Sequence, residues 1–519
     1  MRLMSGLDVG QRRIVLAVCV VATFLLTLNA AFNYLLSPIL ETFAPNETQT
    51  TLLRQVPSIG ALLVVFPAGA LGARIGPRRF ILGCALLFII GSVLIACAPV
   101  IEIVTFGFLL VNVGRAAMFI VGLAFMAAAV GSRDGRASAF ATFSMILPTA
   151  YLVMPILTGV LVDGLGWRWV AGFTAVGGLM AAVLAARLLP RDADRQPSGE
   201  MWTPAFAGVG LVLLVQAMNS VPTYGLMSVQ TLGPLVGAAI CVVVIAVLMR
   251  RLASPSVSVE ALKHGGFLLL LSVLLLFSFA NLWFYTTLAF EYVYGMSTLQ
   301  TAWLMLPAQV ASIVGAAVAG ALIKSRGIPI AGSVLMLGVA GCLLASAFVG
   351  VQTPVWVPVV IVAIYAALAV GAGVPMTNAI MDLASRSNEG GASSWRSAAS
   401  NLGSAVSVAF MTAIVATSIG MSLERQMEGT QAGSTMTAQE MSDALRALNG
   451  GRSQQDVADQ YAVPSTDIAQ LSQDQAQALM AGYRTQGIVG GVVTLGVTVV
   501  FWAVTRREER ERASSEASA

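Results

Sequence analysis

Ionisable side chains are the first candidates for chemistry, and one of them, Arg115, lies deep within an apolar stretch of this 519-residue sequence. It lies about 13 residues from the outer end of a predicted membrane span, which at 1.5 Å per helical residue is near mid-bilayer. A membrane-embedded arginine costs several kcal/mol and therefore usually faces an aqueous cavity or a partner. Two interpretations stay open: Arg115 meets an anionic or strongly dipolar substrate group, or it is tied to backbone carbonyls or polar partners such as Asn29.

Other polar or amphipathic residues also lie well inside apolar stretches, where a polar group costs free energy unless it is hydrogen-bonded. We predict that they line part of a central substrate cavity around Arg115. Interhelical hydrogen bonding, or packing for the aromatic residues, would explain each of them equally well. The predicted substrate-binding residues are Asn29, Asn33, Asn112, Arg115, Asn281, Trp283, Tyr285, Gln309 and Asn378.

Carboxylates are missing from the middle of every predicted span. If the cavity serves proton-coupled transport, one group must gain and lose a proton as the cavity opens to alternate sides of the membrane. Glu291, just inside the outer end of one span, is the best remaining candidate. A permanently ionised residue at the membrane interface is the alternative. Arg396 lies close to the end of its predicted span and is interpreted as an interfacial anchor.

No set of residues suggests a catalytic or metal site. The single histidine, His264, lies in a predicted loop, and the five cysteines lie singly in apolar stretches with no metal-ligand or disulfide spacing. We therefore expect no cofactor, no bound metal and no enzymatic activity.

The elements that must position these residues are membrane-spanning helices. The chain is 57% hydrophobic and only 10% charged, and its apolar blocks of about 20 residues match the length that crosses a bilayer as a helix. An all-α integral membrane protein with fourteen transmembrane helices is predicted. The spans lie near 14–36, 51–73, 79–98, 102–131, 137–161, 168–189, 204–222, 229–249, 266–290, 300–323, 328–350, 355–381, 394–418 and 486–504.

The distribution of basic residues predicts the orientation. Most of the 29 Lys and Arg residues fall in one set of loops, so the positive-inside rule places both termini in the cytoplasm. The first apolar block follows Arg12 and Arg13 as in a signal peptide, but it is long enough to span and no small-residue cleavage site follows. A multi-pass protein of the plasma membrane is expected, with lipid and a small molecule as partners and no nucleic acid.

Two charged stretches divide the spans into six, two and six. This predicts a six-helix half over 1–195, two inserted helices over 196–262 and a second six-helix half over 263–519, the two halves being pseudo-symmetric. The polar segment at about 421–484 is predicted to be extracellular. Its role is left open.

The loop after the second span, GALGARIGPRR, resembles the cytoplasmic signature of the major facilitator superfamily, and GALIKSRG after span ten is a weaker copy. Three further stretches are similar to the fourteen-span drug:proton antiporter branch of that superfamily: LNAAFNYLLSPI, GWRWVAGF and EYVYGMSTLQTAWLMLP. The stretch GGASSWRSAASNLGSAVSVA resembles a fourth motif of the branch. The chain is therefore identified as a divergent member of this branch.

The resemblance implies a set of residues that control conformation. Glycines let helix ends approach closely, and arginines in the loop can pair with helix C-termini or carboxylates, although plain positive-inside topology would also explain those arginines. Ala73 replaces the acid of the family signature, so its charge relay is incomplete. The predicted gating residues are Gly69, Arg74, Gly76, Arg78, Pro155 and Gly159.

The resemblance also implies a function, namely secondary active export by alternating access with proton antiport. The branch usually carries an acid where Asn29 lies, and some of its drug exporters carry Asp where Asn378 lies, so proton coupling is in doubt. Drug-like or amphipathic small molecules are the expected substrates, and the lone buried cation favours anionic or lipid-like ones. The alternative is a transport-inactive relative that acts as a sensor or scaffold. A monomer is expected.

Overall fold

The computed structural model is helical throughout the part of the chain that it describes, with no strand there. Described are residues 7–43, 45, 47–130, 133–191, 201–225, 227–251, 264–296, 298–383, 389–426, 435–437, 440–441, 444 and 454–518. For some residues within the helices, the structure describes the backbone but not the side chain. The predictions for the side chains of Asn33, Pro155 and Glu291 therefore lie outside the described residues.

Seventeen helices make up the described part. The first eight are α1 (Val9–Phe43), α2 (Glu47–Leu63), α3 (Val65–Ile75), α4 (Pro77–Ala96), α5 (Ile101–Ala129), α6 (Arg133–Ser144), α7 (Ile146–Leu165) and α8 (Trp167–Leu188). The next four are α9 (Trp202–Tyr224), α10 (Val229–Arg251), α11 (Gly265–Phe277) and α12 (Leu282–Tyr292). The last five are α13 (Thr298–Ser346), α14 (Trp356–Leu383), α15 (Glu389–Gln426), α16 (Gln454–Tyr461) and α17 (Ser465–Ser518).

The helices are long and apolar, as the sequence predicts. Within the described residues, 11 helices are long and apolar enough to cross a membrane, or 12 if the bent pair of α2 and α3 is one span. Helix α13 has 49 residues, about 74 Å at 1.5 Å per residue, which far exceeds a hydrocarbon core of about 30 Å. It changes direction at Gly327, where φ is 80° and ψ is 170°.

Proline explains two breaks inside predicted spans. Pro67 has no N–H for the carbonyl of Leu63, four residues earlier, and α2 ends there with a 44° bend into α3. Pro148 likewise leaves the carbonyl of Ser144 without its helical donor, and α6 ends at that residue. The second break therefore occurs ahead of Pro155, whose backbone lies within α7.

Two groups of helices form the bundle. In the first, α4 packs against α5 and α8, while α1 packs against α5, α7 and α8. In the second, α13 packs against α14 and α17, and α15 packs against α11 and α17. The groups meet where α3, α5 and α6 contact α13, α14 and α15. Helices α9 and α10 pack against each other, and α9 also contacts α2 and α15.

The segment predicted to be extracellular contains a small hydrophobic core of its own, here called the outer cluster. Its buried residues come from the end of α15, from α16, from the start of α17 and from the chain on either side of α16: Leu423, Met436, Met441, Ala444, Val457, Ala458, Val463, Ile468, Leu471 and Ala478. Thr437 donates its N–H (2.7 Å) and its hydroxyl (2.9 Å) to the Glu440 carboxylate, and these bonds hold the pKa of Glu440 below its usual value.

Candidate substrate site

Arg115 is the middle residue of α5, which has fourteen residues on either side of it, beginning at Ile101 and ending at Ala129. At 1.5 Å per residue it lies about 21 Å from either end. That distance is too long for the side chain to reach the water at a helix end, so its charge must be stabilised inside the bundle. The depth predicted for Arg115 from the sequence therefore agrees with its position in α5.

Asn112 holds the Arg115 side chain from the preceding turn of the same helix. Its Oδ1 accepts from Nε at 3.2 Å and from Nη2 at 3.1 Å of Arg115. Asn112 is fully buried, and its Nδ2 donates to the carbonyl of Phe108 at 2.9 Å. The amide group is thus oriented by the helix backbone and aims its oxygen at the guanidinium.

Tyr151 brings α7 and α1 to the same place. Its hydroxyl accepts a hydrogen bond from Asn29 Nδ2 at 3.1 Å, and the ring is half-buried beside Arg115, with which it interacts electrostatically. Asn29 and Arg115, both predicted site residues, are therefore linked through a tyrosine that the sequence analysis did not single out. Three helices, α1, α5 and α7, form this polar cluster.

The guanidinium of Arg115 retains donors that bond to none of the described residues. Nε and Nη2 bond to Asn112, whereas Nη1 makes no hydrogen bond within the described residues. Nη1 is not fully buried. Arg115 is half-buried, so Nη1 lies next to space that protein atoms do not fill. No carboxylate among the described residues forms an ion pair with Arg115. The position thus offers an anion a positive charge and free N–H donors in a low-dielectric region.

In the second group of helices, the predicted residues Asn281, Trp283 and Tyr285 lie at a break between α11 and α12. Asn281 has φ −91° and ψ 75°, outside helical geometry, and the carbonyl of Ala280 accepts a hydrogen bond from the Tyr365 hydroxyl. Trp283 is half-buried and Tyr285 is buried in the hydrophobic cluster around this break. Tyr365 thus satisfies a carbonyl freed by the break, a role that hydropathy does not reveal.

Gln309 and Asn378 also belong to the second group of helices, on α13 and α14. Gln309 is half-buried on α13 and makes no hydrogen bond within the described residues. Asn378 is almost fully buried on α14, and its Nδ2 donates to the carbonyl of Val374 at 2.9 Å. In the described part of the chain, no hydrogen bond joins Gln309 or Asn378 to the Arg115 cluster.

Arg396 lies inside the bundle and not at its edge. Helix α15 begins at Glu389, five residues before the predicted span, and Arg396 lies two turns into it. Its Nε donates to Thr377 Oγ1 on α14 at 3.0 Å, and Thr377 is buried. The interpretation of Arg396 as an interfacial anchor is wrong because the polar start of α15 is helical and packed against neighbouring helices.

Contacts between the two groups of helices concentrate at the predicted cytoplasmic end. Arg136 on α6 forms an ion pair with Asp382 on α14, with 3.6 Å between Nη1 and Oδ1, and each side chain is 12% exposed. Nearby, Ser393 on α15 donates to the carbonyl of Ile120 on α5 at 2.8 Å. The rings of Phe66 on α3 and Trp395 on α15 pack edge to face, 4.9 Å apart. The ion pair lies at that end, whereas Ile120 is nine residues, about 13.5 Å, before the end of α5, so the contacts between the groups extend into the bundle.

The loop with the glycine and arginine signature makes a contact within the first group. Gly76 has φ 97°, a value that favours glycine, and it joins α3 directly to α4. Arg78 donates to the carbonyl of Ala186 near the C-terminal end of α8, whereas Arg74 is exposed.

Two predicted gating glycines have different surroundings. Gly69 is buried on α3, whereas Gly159 on α7 is exposed and has open space where a Cβ would lie. In this conformation, helix packing therefore does not require a glycine at position 159.

The family model described as Major Facilitator Superfamily matches residues 18–422. An uncharacterised MFS-type transporter of Mycobacterium tuberculosis is 25% identical over 339 residues, which are 63% of this chain and 47% of that protein. The multidrug resistance protein Stp of the same species is 26% identical, over 60% of each chain. The chain thus spans about half to three fifths of the length of these relatives.

A relative from another genus and several solved structures are also similar. The methylenomycin A resistance protein of Streptomyces coelicolor is 26% identical over 67% of this chain and 74% of its own length. The human organic anion transporter MFSD10 has a TM-score of 0.58 at 14% identity, covering 93% of this chain and 99% of its own. The Escherichia coli fucose:proton symporter has a TM-score of 0.56 at 10% identity, covering 95% and 97%. At such low identity the structural likeness concerns the fold alone.

Proposed function

The chain belongs to the major facilitator superfamily, and from this premise we propose that it is a secondary active exporter that works by alternating access. It is a membrane transporter and not an enzyme. In our proposal, fourteen spans form two six-helix halves, 1–195 and 263–519, with an inserted pair in 196–262. Both termini lie in the cytoplasm and the protein resides in the plasma membrane as a monomer. The length of α13, sufficient for two crossings, supports this arrangement.

We propose that the substrates are amphipathic small molecules that carry a negative charge. One observation carries this proposal: Arg115 lies at the middle of α5, has no carboxylate partner among the described residues, and its Nη1 atom makes no hydrogen bond to them. An unneutralised cation at that depth costs free energy that a bound anion would recover. Exporters of lipophilic cations need the opposite charge, a buried carboxylate, at this position.

Outward movement is supported by the relatives described above, several of which are drug-resistance proteins. Proton antiport is proposed on the basis of the family, with Glu291 as the coupling candidate. Among the described residues of the spans, the acids lie near helix ends, as Glu102 and Asp382 do. A proton taken up near the outer end of the pathway, and not at mid-membrane, is therefore the form of coupling that fits this sequence.

The cytoplasmic gate in this proposal is the ion pair between Arg136 and Asp382, together with the contact between Ser393 and Ile120. These residues belong to opposite halves, so they must separate when the site opens toward the cytoplasm. The loop residues Gly69, Arg74, Gly76 and Arg78 lie at the same end. In this proposal the Arg136 and Asp382 pair is the ionic contact that holds the halves together at this end.

The proposal is tested by dye efflux from bacterial cells that lack their main exporters. Cells expressing the chain are loaded with ethidium, a cation, or with carboxyfluorescein, an anion, and efflux is followed with and without a protonophore. We expect faster efflux of carboxyfluorescein only, lost in Arg115→Gln at equal expression and unchanged in Arg326→Gln, which alters an exposed arginine on α13. Protonophore-sensitive efflux of ethidium that is indifferent to Arg115 would contradict the anionic substrate and favour an ordinary drug antiporter.

A chain that moves neither dye would favour the alternative, a transport-inactive relative that acts as a sensor or scaffold. The outer cluster is the feature that favours this alternative, because a segment with its own buried core provides a folded surface outside the bundle.

A further inference from the structure

Gln486 on α17 is a buried amide that the proposed transport mechanism does not use. Its side chain has no exposed surface, and neither Oε1 nor Nε2 has a hydrogen-bond partner within the described residues. An amide buried without partners costs free energy, and in native proteins an ordered water or an ion usually satisfies such a group. The surroundings of Gln486 therefore show what it binds.

Two contacts place Gln486 at the break between α11 and α12. Three residues before it, the Tyr483 hydroxyl lies 3.2 Å from the Thr286 hydroxyl on α12. Four residues after it, Gly490 lies against the carbonyl of Phe279, in the turn between α11 and α12. Residues three and four apart are neighbours on one face of a helix, so the face of α17 that carries Gln486 packs on the break.

The break leaves backbone groups of its own without partners. Within the described residues, the carbonyl of Phe279 accepts no hydrogen bond, and the N–H groups of Trp283 and Phe284 donate none. These two N–H groups belong to the first turn of α12, where a helix has no internal acceptors. Backbone groups inside a membrane protein need side chains or ordered waters to satisfy them.

Gly490 makes room for the amide and the carbonyl to border the same small space. A Cβ at position 490 would lie 2.9 Å from Phe279 O and 3.4 Å from Gln486 Nε2. The two groups do not bond to each other, because Nε2 has no partner. A water molecule donates and accepts at once, so it can bridge them, and buried waters make about three hydrogen bonds each. All the groups named here are uncharged, so an ion would bring an uncompensated charge into a region of low dielectric constant.

We propose that a buried water molecule binds between the Gln486 amide and the carbonyl of Phe279, beside Gly490, and holds the start of α12 in place. Gln486 is then a positioning residue for the outer part of this broken span, which carries the predicted substrate-binding residues Trp283 and Tyr285. The water site does not depend on the proposed function, because it follows from buried groups that lack partners.

The direct test is a crystal structure of the full-length protein grown in a lipid mesophase with sodium bromide, for wild type and for Gly490→Ala. In wild type we expect one peak of density about 2.7–3.2 Å from both Phe279 O and the Gln486 amide, without anomalous signal from bromide. The added methyl group of Gly490→Ala should abolish the peak. An anomalous bromide peak would overturn the water and identify an anion site. A Gln486 amide that bonds directly to protein groups would overturn the site itself.

A cycle of unfolding temperatures tests the same site in lipid nanodiscs. Wild type, Gln486→Leu, Gly490→Ala and the double variant are compared, with Gly341→Ala, which has open space around it, as the control. We expect Gln486→Leu to lower the unfolding temperature by about 1–2 °C, because the water and the carbonyl of Phe279 lose a partner. Gly490→Ala should cost less in the Gln486→Leu background, because the hydrogen bonds from the water to Gln486 are then already lost.

The cycle also removes the steric effect of the new methyl group, because its contact with Phe279 O is the same in both backgrounds. Strictly additive shifts would count against a shared water. A Gln486→Leu variant that unfolds at the wild-type temperature or above would show that the amide is unpaired and would overturn the proposal. That sign decides the question even if Gly490→Ala does not fold.

Discussion

The ion pair between Arg136 and Asp382 gives a quantitative prediction about conformation. At 3.6 Å and an effective dielectric constant of about 20, the attraction is about 5 kcal/mol before desolvation is subtracted. Each side chain is 12% exposed, so the net value lies between that of an exposed pair, about 0–1 kcal/mol, and that of breaking a buried one, about 3–5 kcal/mol. We take about 2 kcal/mol, which predicts that Asp382→Asn shifts the equilibrium toward the cytoplasm-open state about thirtyfold.

The assay measures the distance between the two halves at that end. Spin labels are attached to cysteines introduced at Ile75 and Ser325, both exposed, in a variant whose five native cysteines are replaced by alanine. Double electron–electron resonance spectroscopy then gives the distribution of distances between the two spin labels. We expect a longer-distance population in Asp382→Asn and in Arg136→Gln, and a double variant that adds little to either, because both substitutions remove the same contact.

The control is Glu102→Gln, which removes a carboxylate at the opposite end, where it bonds to Gln49 within the first half. It should leave the distances unchanged. Unaltered distributions in both gate variants, or strictly additive shifts in the double variant, would refute the gating role of the pair.

Three further predictions concern the site, the packing and the outer cluster. Tyr151→Phe removes the acceptor for Asn29, so we expect a loss of about 1 kcal/mol of folding stability, seen as a lower unfolding temperature, and weaker substrate binding because Asn29 is no longer oriented. Gly315→Ala would place its Cβ against the carbonyl oxygen of Ala367 on α14, so overpacking of about 1–3 kcal/mol should lower the unfolding temperature, whereas Gly341→Ala, with open space, should not. In the outer cluster, the hydrogen bonds from Thr437 lower the pKa of Glu440 in the folded protein. They therefore stabilise the folded segment at pH values above the pKa of an unfolded glutamate, and this stabilisation is lost as the pH falls through the lower pKa of the folded state. Hydrogen exchange at Met441 should accelerate over that acidic range in wild type but not in Glu440→Gln.

Much of the fold follows from counting apolar residues. The all-helical membrane architecture and the superfamily were predicted from hydropathy and from the loop beginning at Gly69, and both are confirmed. The depth of Arg115 also follows from counting, because an uninterrupted apolar helix has a fixed rise per residue.

What hydropathy misses are polar contacts between helices. The polar start of α15 looks like a loop, yet it is helical because Ser393, Trp395 and Arg396 find partners on other helices. Tyr151 was missed for the same reason: a tyrosine in an apolar span gives no signal until the helix that carries it meets Asn29. The breaks after Leu63 and Ser144 were predictable in principle, since a proline follows each of them by four residues.

The most direct test of the central claim is release of an anion from sealed vesicles by the purified protein. Proteoliposomes are loaded with carboxyfluorescein at a self-quenching concentration, and a pH gradient is imposed while fluorescence is recorded. We predict protein-dependent release that is driven by the gradient, lost in Arg115→Gln and retained in Arg326→Gln. Release at the wild-type rate by Arg115→Gln, or no release by the wild-type protein, would contradict a transport site centred on Arg115.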